Sequence, residues 1–129
     1  MTRSGGLVVA AGISRYAGLL EYGCNGGLTD ENIQLFTDAL ATGRNYDDPN
    51  GFTNAHFHHV DELRTEFETA GLRDVEVLGV EGPAAPILHN ASPEEAPTFL
   101  PSALRLARLL EVDPHLISAS FHFLAVGRV

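Results

Sequence analysis

The segment Leu7–Ile13 (LVVAAGI) is an unbroken apolar run, with Gly5-Gly6 before it and Ser14-Arg15 after it. A run of that length between turn residues suits a strand covered on both faces, as in the interior of a parallel sheet. Such a strand needs neighbours along both edges and packed layers above and below. The run begins only a few residues after Met1, which leaves open what pairs with it and covers it.

The rest of the chain fits one domain. A length of 129 residues allows a modest core, and 44% apolar residues is the content of a globular chain rather than a disordered one. Charges or turn residues interrupt every apolar run short of the roughly 18 residues that mark a membrane span. The amino terminus has one Arg ahead of its apolar run and no small-residue cleavage pattern behind it, which reads as a strand rather than a signal peptide. The formal net charge is −9, and lysine is absent. This balance disfavours nucleic acid, which needs clustered cations, and an anionic membrane surface. Cys24 is the only cysteine, which excludes an intrachain disulfide and a cysteine-rich zinc site and favours a cytoplasmic setting.

Along the chain, Gly18–Gly27 (GLLEYGCNGG) is too rich in glycine for a stable helix and reads as a transition. Thr29-Asp30-Glu31-Asn32 then opens an amphipathic helix with Thr29 as its cap. Ile33, Phe36, Ala39 and Leu40 recur at helical spacing, and Gly43 stops it. Arg44–Gly51 has the turn chemistry of an exposed loop. A second helix starts at His59-Val60-Asp61-Glu62, places Leu63, Phe67 and Ala70 on one face and ends at Gly71. Arg73–Val80 follows as a strand, so helix, glycine stop and strand form an α/β unit. Glu81–Pro101 holds most of the prolines and reads as an irregular excursion with short helical turns. A third helix from about Ser102 to Glu111 is expected to bury Leu104, Ala107 and Leu110 or near neighbours, with Pro114 closing it. Ile117–Val126 is the last strand.

Several stretches taken in order carry a family resemblance: RSGG at Arg3–Gly6 leading into LVVAAGISRYAGLL, FHHVDELRTEFETAGL at Phe57–Leu72, RDVEVLGVEGPA from Arg73, and SASFHFLAVGR from Ser118. They resemble the fifth strand with its preceding turn, the following helix, the sixth strand and the seventh strand of class I S-adenosylmethionine-dependent methyltransferases. The likeness is strongest to small-molecule methyltransferases with a helical insertion after the fifth strand. It implies an α/β fold, the C-terminal part of a Rossmann-like sheet with about three strands and three helices. The last strand of that sheet inserts antiparallel between the fifth and sixth. It also implies S-adenosylmethionine as cofactor, a small-molecule methyl acceptor, and a lid formed by residues 28–52 over the ligand edge.

The resemblance covers only the substrate-side half. The family's glycine-rich loop after its first strand, and the acidic residue ending its second, have no counterpart here. No cofactor-binding residue is therefore assigned, and the isolated chain is expected to need a complementing N-terminal half for activity. A non-catalytic alternative is a binding module that pairs its first strand with a second copy as a homodimer, because an unpaired apolar edge drives association.

Candidate site residues follow from position. Ser14, Arg15 and Tyr16 end the first apolar strand, at the edge where open α/β sheets bind ligands. There Arg15 either holds a substrate carboxylate or phosphate through paired hydrogen bonds or is solvated, and Tyr16 either walls a pocket or packs locally. Glu81 follows the sixth-strand segment and either orients an amine or hydroxyl substrate or sits exposed in a turn. His56 and His58, within HFHH, are the candidate general bases for a hydroxyl acceptor. With His59, Asp61 and Glu62 they also suggest a metal-dependent enzyme. The spacing gives no helical i, i+4 pair, though, and adjacent histidines diverge, so no metal ligand is assigned. His122, between Phe121 and Phe123, faces away from both and reads as structural. Cys24, His89 and His115 receive no role.

Overall fold

The computed structural model describes residues 3–45 and 54–129. Its strands are β1 (Leu7–Ser14), β2 (Arg44–Asn45), β3 (Ala55–His58), β4 (Arg73–Gly79) and β5 (His122–Arg128), and they form an open sheet in the order β2-β3-β1-β5-β4. β1 is parallel to β3, whereas β5 is antiparallel to both its neighbours, β1 and β4. The helices are α1 (Ala17–Asn25), α2 (Ile33–Thr42), α3 (Val60–Thr69), α4 (Ala85–Asn90) and α5 (Ala96–Leu110). The class is α/β, with five strands and five helices among the described residues rather than about three of each. The carboxyl ends of β1, β3 and β4 and the start of β5 consequently share one edge of the sheet.

β1 departs from the interior strand that its composition implies. Alternation sends Val8 and Ala10 onto the core of Leu63, Phe67, Val77, Ile117, Phe123 and Ala125. On the opposite face Leu7 and Val9 are 54% and 55% exposed. One edge is fully paired, with β5 running alongside from Leu7 opposite Arg128 to Ile13 opposite His122. The other edge meets β3 only at Ile13 and Ser14. Ser14 donates its N–H to Phe121 on the β5 side, and Arg15 donates to His58 on the β3 side. The antiparallel alternation then aims the N–H groups of Leu7, Val9 and Ala11 at the open edge. Over residues 7–11 the strand is covered on one face and, among the described residues, bare on the other.

Tertiary contacts account for the other departures. The glycine-rich stretch after β1 is helical, as α1, because Tyr22 packs on Phe36 of α2 with ring centroids 4.9 Å apart and Gly18 lies under the same ring. α2 begins at Ile33, not Thr29. Asn32 uses its side chain to hold the turn before it, accepting from Thr29 N–H and donating to the Gly27 carbonyl, both at 2.8 Å. Residues expected as loop or helix approach instead form the β2–β3 ladder, with Arg44 opposite His56 and Asn45 opposite Ala55. Residues 46–51 of the expected loop, and the rest of the expected lid up to 52, lie outside the described residues.

α5 starts well before Ser102 and carries Pro101 inside it. Its buried face is Ala103 and Ala107, while Leu104 is exposed. Small residues are needed there because Gly82, at φ +68°, brings its backbone so near that a Cβ would sit 3.0 Å from Ala107 Cα. β5 begins at His122, since Ile117–Ala119 forms a 3₁₀ turn. Ser120 just beyond that turn is buried and accepts the N–H of Gly82 at 2.9 Å. Among the described residues no helix is long and apolar enough to cross a membrane.

Candidate functional site

At the shared strand edge lies a pocket of about 620 Å³, a volume suited to a small molecule. Ile13, Ala17, Ala85 and Phe121 form one apolar cluster that lines it. α1 adds Leu19, Glu21 and Tyr22, α2 adds Leu35, Phe36 and Ala39, and α4 adds Leu88 and His89. The strand ends contribute Arg15, Phe57, Glu81 and His122. The segment expected as a lid therefore supplies a wall of the pocket through α2.

The polar groups of the pocket are arranged in pairs. β4 and β5 are adjacent and antiparallel, and Val80 N–H donates to the His122 carbonyl at 3.0 Å. That register sets Glu81 beside His122. One carboxylate oxygen accepts the His122 backbone N–H at 3.0 Å, and the other lies 2.5 Å from Nδ1 of the same residue. A carboxylate at Nδ1 favours the tautomer in which Nδ1 carries the proton and Nε2 is an acceptor. Nε2 has no partner among the described residues. A second pair joins α1 to α4, with Glu21 Oε1 2.9 Å from His89 Nδ1. The His89 ring also stands edge-on to Phe121, with centroids 5.9 Å apart.

Arg15 reaches the pocket wall, but its charge is matched from behind. Its Nη2 donates to both oxygens of Glu62, at 2.7 and 2.6 Å, and its Nε donates to the Phe57 carbonyl at 3.2 Å. Burial alone would push the Glu62 carboxyl up. The His59 N–H at the start of α3 and the Arg15 guanidinium outweigh that effect and hold it below its ordinary value. Gly43, at φ +73°, closes over this pair, and a Cβ there would lie 2.5 Å from Arg15 Nη2 and 2.6 Å from the Phe57 carbonyl oxygen. The expected anion clamp is thus an internal ion pair locking the end of β1 to α3.

The other sequence candidates separate. Ser14 is fully buried; it donates to the Ser118 carbonyl at 3.2 Å and accepts Tyr16 N–H at 3.3 Å, and it does not line the pocket. Tyr16 packs its ring on His59, 5.5 Å away, and is not part of the pocket wall. His56 and His58 do not meet the pocket either. They face α3, where His56 Nε2 is 3.8 Å from Glu62 and His58 Nε2 is 3.4 Å from Glu66. Two residues apart on a short strand, their side chains fall on one side, and that side is the α3 side. Of the residues expected to touch substrate, Arg15 and Glu81 line the pocket. His122, read from sequence as structural, and His89, given no role, join them there. Only the cross-strand register, invisible in the sequence, pairs His122 with Glu81.

Among the described residues no group of three or more His, Cys, Asp or Glu side chains is placed to hold a metal ion. The described residues offer no cradle for S-adenosylmethionine. A cofactor cradle needs open glycine backbone between a strand and a helix, whereas β1 passes into α1 through Arg15-Tyr16. The glycine after β4, Gly82, is packed against α5. No family model matches the sequence, and no curated protein matches it.

Proposed function

We propose that the chain is the substrate-side half of a small-molecule methyltransferase of the class I S-adenosylmethionine-dependent kind, acting in the cytoplasm with a cofactor-binding half that its own residues do not supply. The observation that carries this reading is the β1-β5-β4 order, with β5 antiparallel to both neighbours and the outer edge of β1, among the described residues, unpaired over residues 7–12. That is the arrangement the sequence resemblance implies for the fifth, seventh and sixth strands, and it leaves free the edge onto which preceding strands would add. The pocket at the carboxyl ends of the strands, apolar with a protic rim, supports its use as the acceptor site.

Fusing the glycine-rich half of a class I methyltransferase ahead of Leu7 tests the reading. Calorimetry should find no stoichiometric S-adenosylmethionine binding by the isolated chain and stoichiometric binding by the fusion. Tight binding by the isolated chain, or none by a folded fusion, contradicts it.

The exposed Leu7, Val9, Leu104 and Leu109 favour a second reading, a non-catalytic module that self-associates. Sedimentation distinguishes the two. A stable dimer that the cofactor half fails to dissociate supports the second reading, and a dispersed monomer removes it.

A further inference from the structure

We propose that the pocket takes a neutral, largely apolar hydroxyl compound of the phenol class, with Nε2 of His122 accepting its hydroxyl proton and Glu81 as the positioning residue. This rests on reading the cavity as an acceptor site and adds the chemistry it accepts.

The walls come first. Ile13, Leu19, Phe36, Leu88 and Phe121 offer apolar and aromatic surface suited to a ring. The charges come next. Among the described residues, the ionisable groups of the pocket wall are Arg15, Glu21, Tyr22, Glu81, His89 and His122. Glu62 matches the Arg15 cation, while each of the two carboxylates is matched by an imidazole. A carboxylate or phosphate substrate would meet two glutamates without an uncommitted cation among the described lining residues, so the wall selects a molecule without net charge.

The rim then supplies a directed acceptor. Glu81 grips the backbone N–H and Nδ1 of the same residue, which fixes the ring in place and in tautomer. A carboxylate–imidazole contact with side chains 49% and 28% exposed contributes little to folding, so stability does not account for the arrangement. The step is a simple proton transfer. The phenolic O–H bond breaks, an N–H bond forms at Nε2, and the electron pair stays on the oxygen as phenolate. The resulting imidazolium faces Glu81. A phenol is acidic enough for an imidazole to assist, whereas an aliphatic alcohol is far less so.

The test uses the whole chain without cofactor, with 4-nitrophenol as probe and 4-nitroanisole, which has no proton to give, as control. The native protein should bind 4-nitrophenol and raise its phenolate absorbance above that of the free probe at the same pH. His122→Gln should abolish the extra phenolate signal and weaken binding about tenfold. His122 is half-exposed, so this variant is expected to keep the native circular dichroism. Glu81→Gln should reduce the phenolate signal and, in ¹⁵N–¹H correlation spectra, convert His122 from one ring tautomer to a mixture. Each variant should lose more affinity for 4-nitrophenol than for 4-nitroanisole.

Absent 4-nitrophenol binding, an unchanged phenolate signal in His122→Gln, or a native tautomer with the proton on Nε2 would overturn the proposal. If the fusion binds S-adenosylmethionine while His122→Gln leaves the phenolate signal intact, this assignment alone fails. If the probe behaves as expected and the fusion binds no cofactor, the methyltransferase reading alone fails.

Discussion

Glu62→Gln probes how the ligand edge is held together. Breaking a fully buried ion pair on one side costs about 3–5 kcal/mol, because the remaining charge is stranded away from water. Here the stranded group is Arg15, whose side chain is 6% exposed, while that of Glu62 is 40% exposed. Water reaches the carboxylate end and screens the pair, which lowers the expected cost to about 2 kcal/mol. Glutamine still offers an oxygen to the His59 N–H, so little of that cost comes from the start of α3. Urea unfolding at neutral pH should show a lower midpoint at unchanged slope.

The pH dependence has a definite sign. The folded Glu62 carboxyl lies below its ordinary value of 4.5, so its contribution is fully present above that value and disappears as the pH falls through the lower folded value. Glu62→Gln should flatten stability against pH in that acid window. Adding Arg15→Met removes the stranded charge, so the double variant should lose less than the sum of the two single changes. A cost for Glu62→Gln under about 0.5 kcal/mol, or strict additivity, would refute the internal pair and return Arg15 to the role of anion clamp.

Gly43→Ala forces a Cβ into the Arg15 guanidinium at positive φ and should cost about 2–3 kcal/mol in chemical denaturation. Phe123→Ala empties a site with no solvent exposure at the centre of the core. Its expected loss is about 3–5 kcal/mol, read from the same curves. Val9→Glu lies on the bare face of β1 and should change the stability of the isolated chain by less than about 0.5 kcal/mol. The same change should prevent cofactor binding by the fusion protein, measured by calorimetry.

What could be read from the sequence was whatever local pattern determines. α3 and β4 stand close to where their periodicity and the Gly71 stop put them, and the strand edge that gathers Arg15 and Glu81 follows from the apolar run and the α/β order. Elements decided by distant contacts were not legible. α1 is helical despite its glycines because Phe36 packs on it, and α5 buries alanines because Gly82 comes too close for leucine. The site followed the same division. Position along the chain identified Glu81, but His122 joins it only through the β4–β5 register, and Arg15 turned inward because α3 presents Glu62 behind it.

The proposed half-enzyme rests on the outer edge of β1, which among the described residues is unpaired over residues 7–12. Amide hydrogen exchange measures that edge directly. In the isolated monomer Val8, Ala10 and Gly12, whose N–H groups face β5, should exchange slowly, whereas Val9 and Ala11 should exchange fast. In the fusion carrying the cofactor half, Val9 and Ala11 should become protected as well. Equal protection of all five amides in the isolated monomer would contradict the account.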